Sequence, residues 1–285
     1  MEEKDLVIGF VKNYGPHHVH NWVFSLKRSG YTGDIVLVDY TPNDEMWNFC
    51  HQNNVRYMEH SEPPSPSRNI CVDRFLALHL ILTDSMKFGV NYRYVITTDV
   101  RDVIFQKNPI DYLIRLNKDY DDREMVFSTE GITYENEPWS YNNMRLSFGN
   151  NALSMMKNYP IINAGVIAGR HEPLTKLCLS IYLMCVGRSA FISGGGGPDQ
   201  SALNILIRTL DTESLRLSNE CPWVAQIGTM LDPSKDFSKV RIDNGIDFDS
   251  EGYVSTVYGE RFHVVHQYDR NPELKNLIDE RYAIG

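Results

Sequence analysis

Little in this sequence suits a disulfide framework, a zinc site or a lipid bilayer. The five cysteines, Cys50, Cys71, Cys178, Cys185 and Cys221, are odd in number and form no CxxC pair or zinc-type spacing. Reduced thiols are the expectation that follows. No apolar run approaches the ~20 residues of a membrane span. The opening MEEKDLVIGF carries acids where a signal peptide carries bases and runs straight into a strand, so a cytoplasmic protein is expected. Basic residues are short as well: 28 Lys and Arg face 37 Asp and Glu, a formal charge of −9, with no Lys/Arg cluster. A nucleic-acid partner is therefore not expected, because counterion release needs a basic face. The glycine run at 194–197 leads into Pro-Asp-Gln, not the GK[ST] ending of a phosphate-binding P-loop. Internal repeats, low-complexity tracts and an evident linker are also missing.

What the chain has is an ordinary globular composition, 42% hydrophobic and 23% charged, with length enough for a large α/β core. Its 16 Tyr, 12 Phe and 4 Trp would suit stacking on bases or sugar rings. The pattern predicts a strand over 6–11, a polar loop over 12–20 with three histidines, a helix over 21–29 ended by Gly30, and a strand over 34–40. Strand, helix, strand predicts a parallel sheet with a right-handed crossover. A helix over 44–53 and a brief strand over 55–58 follow, then the stop SEPPSPSRN with an N-cap at Ser67. Cys71, Phe75, Leu78, Leu82 and Met86 recur at helical spacing up to Gly89, and an apolar strand begins at Tyr94.

Farther on, Ile110, Leu113 and Ile114 mark a short helix, 125–128 a strand, and 161–168 a buried strand containing Gly165. Helices are predicted over 173–186 and 199–208, short strands over 240–242 and 262–265, and turns at Asn244-Gly245 and Glu251-Gly252. The aromatic, Asn-rich stretch 133–150 has weak periodicity and reads as a long loop, which in a compact domain tends to be functional or disordered. The expectation is one α/β domain over 1–285 with a mixed central sheet. Residues 1–108 would form a Rossmann-like nucleotide-binding half and 109–285 an acceptor half.

Four constellations carry the chemistry. In YVITTDVRDVIFQ a buried strand ends in Asp99 and Asp102 with Arg101 between them. The carboxyl end of a strand is where an open α/β sheet binds ligands, and two carboxylates there can hold a hard divalent cation. Taken alone, the residues fit an N-cap and a surface Asp–Arg pair equally well. Asn163-Ala164-Gly165 sets polar and small residues inside an apolar strand, the mark of close ligand approach or of a bulge. In GGGGPDQSALN, Asp199 and Gln200 open a helix, where an acid is in any case a common cap. In FHVVHQYDR, His263 and His266 alternate along a strand end, so at most one is expected to face a ligand.

The order of TTDVRDVIFQ, INAGVIAG, PDQSALN and VVHQYDR resembles that of GT-A glycosyltransferases, in particular the glycogenin-like and bacterial lipopolysaccharide galactosyltransferase-like group. The likeness spans most of the chain, from Leu6 to Arg270, although only these short motifs are specific. It implies a GT-A-type fold, a nucleotide-sugar donor, a glycan or other hydroxyl acceptor, and a divalent cofactor, manganese or else magnesium. Asp99, Asp102 and His266 would hold the metal, with His263 in reserve. The family's Asp-x-Asp is here Asp99-Val100-Arg101-Asp102. Either the turn bulges so that Asp102 reaches the metal, or Asp99 ligates it while Arg101 anchors Asp102. Both acids are expected near the metal, with Asp102 the better ligand.

The donor would meet Val11 and Tyr14 after the first strand, together with Asp39, Arg74, Asp99 and Arg101; Arg68 is an alternative to Arg74. Asn163, Asp199 and Gln200 would face the transferred sugar and the acceptor. Asp199 would serve as base if the enzyme inverts, and the same side chains would stabilise an oxocarbenium-like sugar if it retains. Trp139 and Tyr141 would belong to an acceptor lid over 134–148. A sugar-nucleotide pyrophosphorylase is disfavoured, because GFVKNYGPHH lacks the Gly-, Arg- and Lys-bearing loop that enzyme needs. A two-metal phosphoesterase would need more ligands than are clustered here. The alternative to an enzyme is a non-catalytic nucleotide-sugar or carbohydrate-binding module of the same fold.

Overall fold

The computed structural model describes residues 4–60, 69–120, 123–188, 196–209, 214–218, 220–228 and 246–283. Ser67, Arg68, the first half of the glycine run, the strand expected over 240–242 and the Asn244-Gly245 turn lie outside the described residues. No helix among the described residues is long and apolar enough to cross a membrane.

The chain begins β1 (Lys4–Val11), α1 (Pro16–Arg28), β2 (Asp34–Asp39), α2 (Asp44–Gln52), β3 (Arg56–Glu59), α3 (Ile70–Lys87) and β4 (Tyr92–Thr98). Pro16 sits at the first helical position of α1, where its missing N–H costs nothing. Asn43 and Asn69 cap α2 and α3 by accepting from Met46 N and Cys71 N, each at 2.9 Å. The strands run parallel in the order β3-β2-β1-β4, the sheet expected of the βαβ opening. The sequence continues through β5 (Val103–Phe105), α4 (Pro109–Asp119), β6 (Met125–Thr133), α5 (Pro138–Met156), β7 (Pro160–Gly169), α6 (His171–Cys185) and α7 (Asp199–Thr209). Strand β7 pairs antiparallel with both β4 and β6, and β8 (Ser214–Leu217) closes the seven-stranded mixed sheet.

Alternate residues of β1 enter opposite cores, since helices cover both faces of the sheet. Val7 and Val11 pack with Trp22, Leu26, Met46 and Leu113 from α1, α2 and α4. Leu6, Ile8 and Phe10 pack with Phe75, Leu78, Leu177 and Leu203 from α3, α6 and α7.

A second sheet carries the chain away from the first. Strand β9 (Val224–Gln226) runs parallel to β12 (Val264–His266), which pairs antiparallel with β5. The hairpin of β10 (Ile246–Phe248) and β11 (Val254–Thr256) and the last helix, α8 (Pro272–Tyr282), pack on this sheet through Ile246, Val254, Leu274 and Ile278. Residues 99–102 connect β4 of the large sheet to β5 of the small one.

One expectation fails outright. Residues 138–156 form helix α5, kinked at Gly149 (φ 86°), where a loop was predicted. It buries Ser140, Asn143, Met144 and Ser147 before the kink and Leu153 and Met156 after it. Half of these buried residues are polar, so the hydrophobic periodicity is weak.

A candidate metal centre between two clefts

Two glycines make room for the turn that carries the acids. On β1, a β-carbon added to Gly9 would lie 2.3 Å from Val100 Cγ2, so Val100 can seat against the sheet only because Gly9 has none. On β7, a β-carbon at Gly165 would lie 2.3 Å from Cε1 and 2.6 Å from Nε2 of His266. These strands flank β4. Asp99 N donates to Gly165 O at 2.7 Å, extending the β4–β7 ladder by one bond, and the chain then turns into β5. His266 pairs in register with Val103, which brings its ring beside Asp102.

Asp99, Asp102 and His266 each offer a ligand atom, and these atoms lie within 4.8 Å of one another. His266 Nε2 is 3.5 Å from Asp99 Oδ2 and 3.9 Å from Asp102 Oδ1, beyond hydrogen-bonding distance. It has no hydrogen-bond partner among the described residues, and His266 is 1% exposed. A buried imidazole nitrogen left unpartnered in front of two carboxylates is an open ligand position. The three groups could hold a metal ion.

Burial raises the Asp102 carboxyl above its ordinary pKa, with the neighbouring Asp99 adding to the rise against His266. Burial would do the same to Asp99. There the Arg74 guanidinium and His266 overcome it and hold the carboxyl well below the usual carboxylate range. Burial lowers His266, and the facing Asp99 and Asp102 outweigh it and raise its pKa. The spacing that departs from Asp-x-Asp thus brings both acids to the histidine. Arg101 does not anchor Asp102: it pairs with Asp269 at 3.2 Å.

Arg74, in the first turns of α3, ties the centre to the neighbouring cleft. It ion-pairs with Asp99 and with Asp199 Oδ2, the latter at 3.1 Å, and donates to Ala164 O at 3.1 Å. Burial raises the Asp199 carboxyl in spite of Arg74. Gln200 Oε1 accepts from Ala164 N at 3.2 Å. Gln200 Nε2 and Asn163 Nδ2 both donate to Glu130 Oε1, at 3.1 and 2.7 Å. Burial pushes Glu130 up to about 7. Sequence reading overlooked this residue, whose one signal is an acid inside the otherwise neutral strand MVFSTEGIT.

Two clefts meet at the centre. One, of about 420 Å³, is lined by Glu130, Trp139, Asn163, Asp199, Gln200 and His266 among others. The other, of about 340 Å³, includes Phe10, Lys12, Tyr14, Arg101 and Asp102. Arg74, Asp99, Gln267 and Arg270 belong to both walls. Gln267 adopts a left-handed conformation (φ 59°) at the end of β12, where its N donates to Asp102 O at 2.7 Å. Arg270 was also overlooked, although it stands in the motif VVHQYDR.

Several expected residues sit elsewhere. Val11 faces the core, and its neighbours Phe10 and Lys12 line the cleft instead. Asp39 is buried at the end of β2, accepting from Tyr57 Oη at 2.9 Å and Thr41 N at 2.8 Å. It serves as a turn residue there. His263 hydrogen-bonds Asn108 O at 2.7 Å through Nδ1 and packs against Tyr112, away from the centre. Trp139 reaches the cleft, whereas Tyr141 packs against the small core under α5. Fold and site together define an α/β protein with a mixed sheet and a candidate metal centre. Compared with known families and curated proteins, the chain matches no family model and no curated sequence.

Proposed function

We propose that this chain is a metal-dependent glycosyltransferase, which moves a sugar from a nucleoside-diphosphate sugar to a hydroxyl of a glycan or other glycoconjugate. The observation that carries the reading is the unpartnered Nε2 of His266, facing Asp99 and Asp102 on the boundary of two clefts. Asp99, Asp102 and His266 would hold manganese, or less favourably magnesium, and the bound ion would supply Lewis-acid neutralisation of the diphosphate. The nucleoside would lie in the cleft of Tyr14, Lys12 and Phe10, against the loop after β1. Arg270 and Arg101 would contribute positive charge to the diphosphate.

The sugar would then project into the cleft of Glu130, Asn163, Asp199 and Gln200. In the reaction the bond from the anomeric carbon to the diphosphate oxygen would break, a bond to the acceptor oxygen would form, and the acceptor's proton would pass to the departing diphosphate. Asp199 is engaged by Arg74, which suits it to orient sugar hydroxyls better than to take that proton. The carboxylates lining the cleft would offset the positive charge that develops on the sugar ring.

A thermal-shift screen of nucleotide sugars, with and without manganese, tests the reading, paired with an assay for slow donor hydrolysis. One nucleotide sugar should raise the melting temperature only with metal and should release its diphosphate; Asp102→Ala should abolish both effects. Metal-dependent binding without hydrolysis or transfer would identify a non-catalytic module instead. No response to any nucleotide sugar would overturn the proposal.

A further inference from the structure

Gln226 ends β9 in register with His266 and is fully buried. Its Oε1 accepts from His266 Nδ1 at 2.7 Å, and its Nε2 donates to Ser128 Oγ at 2.6 Å. A neutral imidazole carries one N–H, so a proton held at Nδ1 leaves a lone pair at Nε2. That lone pair is the one facing Asp99 and Asp102. The ring is also held from the other side, where Gly165 leaves no space for even a β-carbon.

We propose that Gln226 is the positioning residue of the metal centre, fixing the tautomer and the angle at which His266 presents Nε2. The inference rests on the metal-centre reading above. Its second content is the strength of the site. Metal-bound histidines commonly lean on a carboxylate, which makes the imidazole a stronger donor. Gln226 is a neutral amide, which orients the ring without adding charge. Such a centre binds its ion less tightly than one whose histidine leans on a carboxylate.

The test titrates Mn2+ alone into the purified full chain and follows the free-ion signal by electron paramagnetic resonance, with thermal melts as folding controls. Gln226→Leu should weaken binding about 10–100-fold, as loss of an outer partner typically does. Gln226→Glu should restore orientation and bind about tenfold more tightly than the wild type through its added charge. A residue that merely filled space would not produce this opposite pair. Wild type, Leu and Glu variants binding within twofold of each other would overturn the inference while leaving the metal centre standing. Should the Leu variant fail to fold, the Glu variant decides: tighter binding supports the proposal, and unchanged binding overturns it. A wild type that takes up no Mn2+ would remove the metal-centre reading, and this inference with it.

Discussion

A single absent β-carbon decides whether His266 can stand where it does. Gly165→Ala would place that carbon 2.3 Å from the imidazole, so the ring would have to shift from its place before Asp99 and Asp102. We expect Gly165→Ala to fold but to bind Mn2+ at least about tenfold more weakly; a titration matching the wild type would contradict this. Glu130 offers a second reading at the same scale. Its carboxyl is raised from 4.5 to about 7 by burial, so the folded chain keeps that proton to higher pH than the unfolded chain does. Stability from this residue is therefore full below about 4.5 and is lost as pH rises to about 7, a decline of at most about 3 kcal/mol. Glu130→Gln should flatten that part of the stability–pH profile measured by urea unfolding, and an unchanged slope would count against it. These residues differ in legibility. Strand alternation separated His263 from His266, whereas Glu130 gains its character from long-range burial, and no local pattern encodes that.

At the scale of elements, α5 shows what hydrophobic periodicity cannot see. Asn143 joins it to the start of α7, donating to Gly197 O at 3.0 Å and accepting from Ser201 Oγ at 2.8 Å. Both partners are left without this bond in Asn143→Leu, a cost of about 2 kcal/mol, or a drop of about 3 °C in melting temperature for a chain of this length. Calorimetry should find it, and a loss under about 1 °C would show that the polar face is dispensable. Most other helices announced themselves through apolar spacing and through Gly30 and Gly89, both in the left-handed region (φ 84° and 77°), whereas no helix was expected over 272–282, where α8 lies. The parallel half of the sheet was equally readable, since β1, α1 and β2 are contiguous. The small sheet was not: β12 pairs with β5 across more than 150 residues and with β9 across about 40, and strands of three residues carry too little pattern to announce a partner.

For the molecule as a whole, the important fact is that both sheets contribute ligands to one centre. Asp99 leaves the large sheet, Asp102 enters the small one, and His266 comes from the small sheet's central strand. An ion bound by all three clamps the sheets together, and ligand binding to the folded state alone adds about 2.7 kcal/mol at a hundredfold excess over Kd. Manganese without donor should therefore raise the melting temperature of the wild type and leave Asp102→Asn unmoved; equal shifts in both would place the ion elsewhere. The motif order pointed to a shared site through its resemblance to a known family; Asp99, Asp199 and His266 lie at element ends, whereas Asn163 sits inside β7. The measurement that tests the central claim most directly is release of nucleoside diphosphate from a panel of nucleotide sugars, with manganese and with chelator, by the wild type and Asp102→Asn. We predict metal-dependent release from one donor by the wild type, abolished by chelator and by the substitution. Release that is absent for every donor, or equal in the two proteins, would contradict the account.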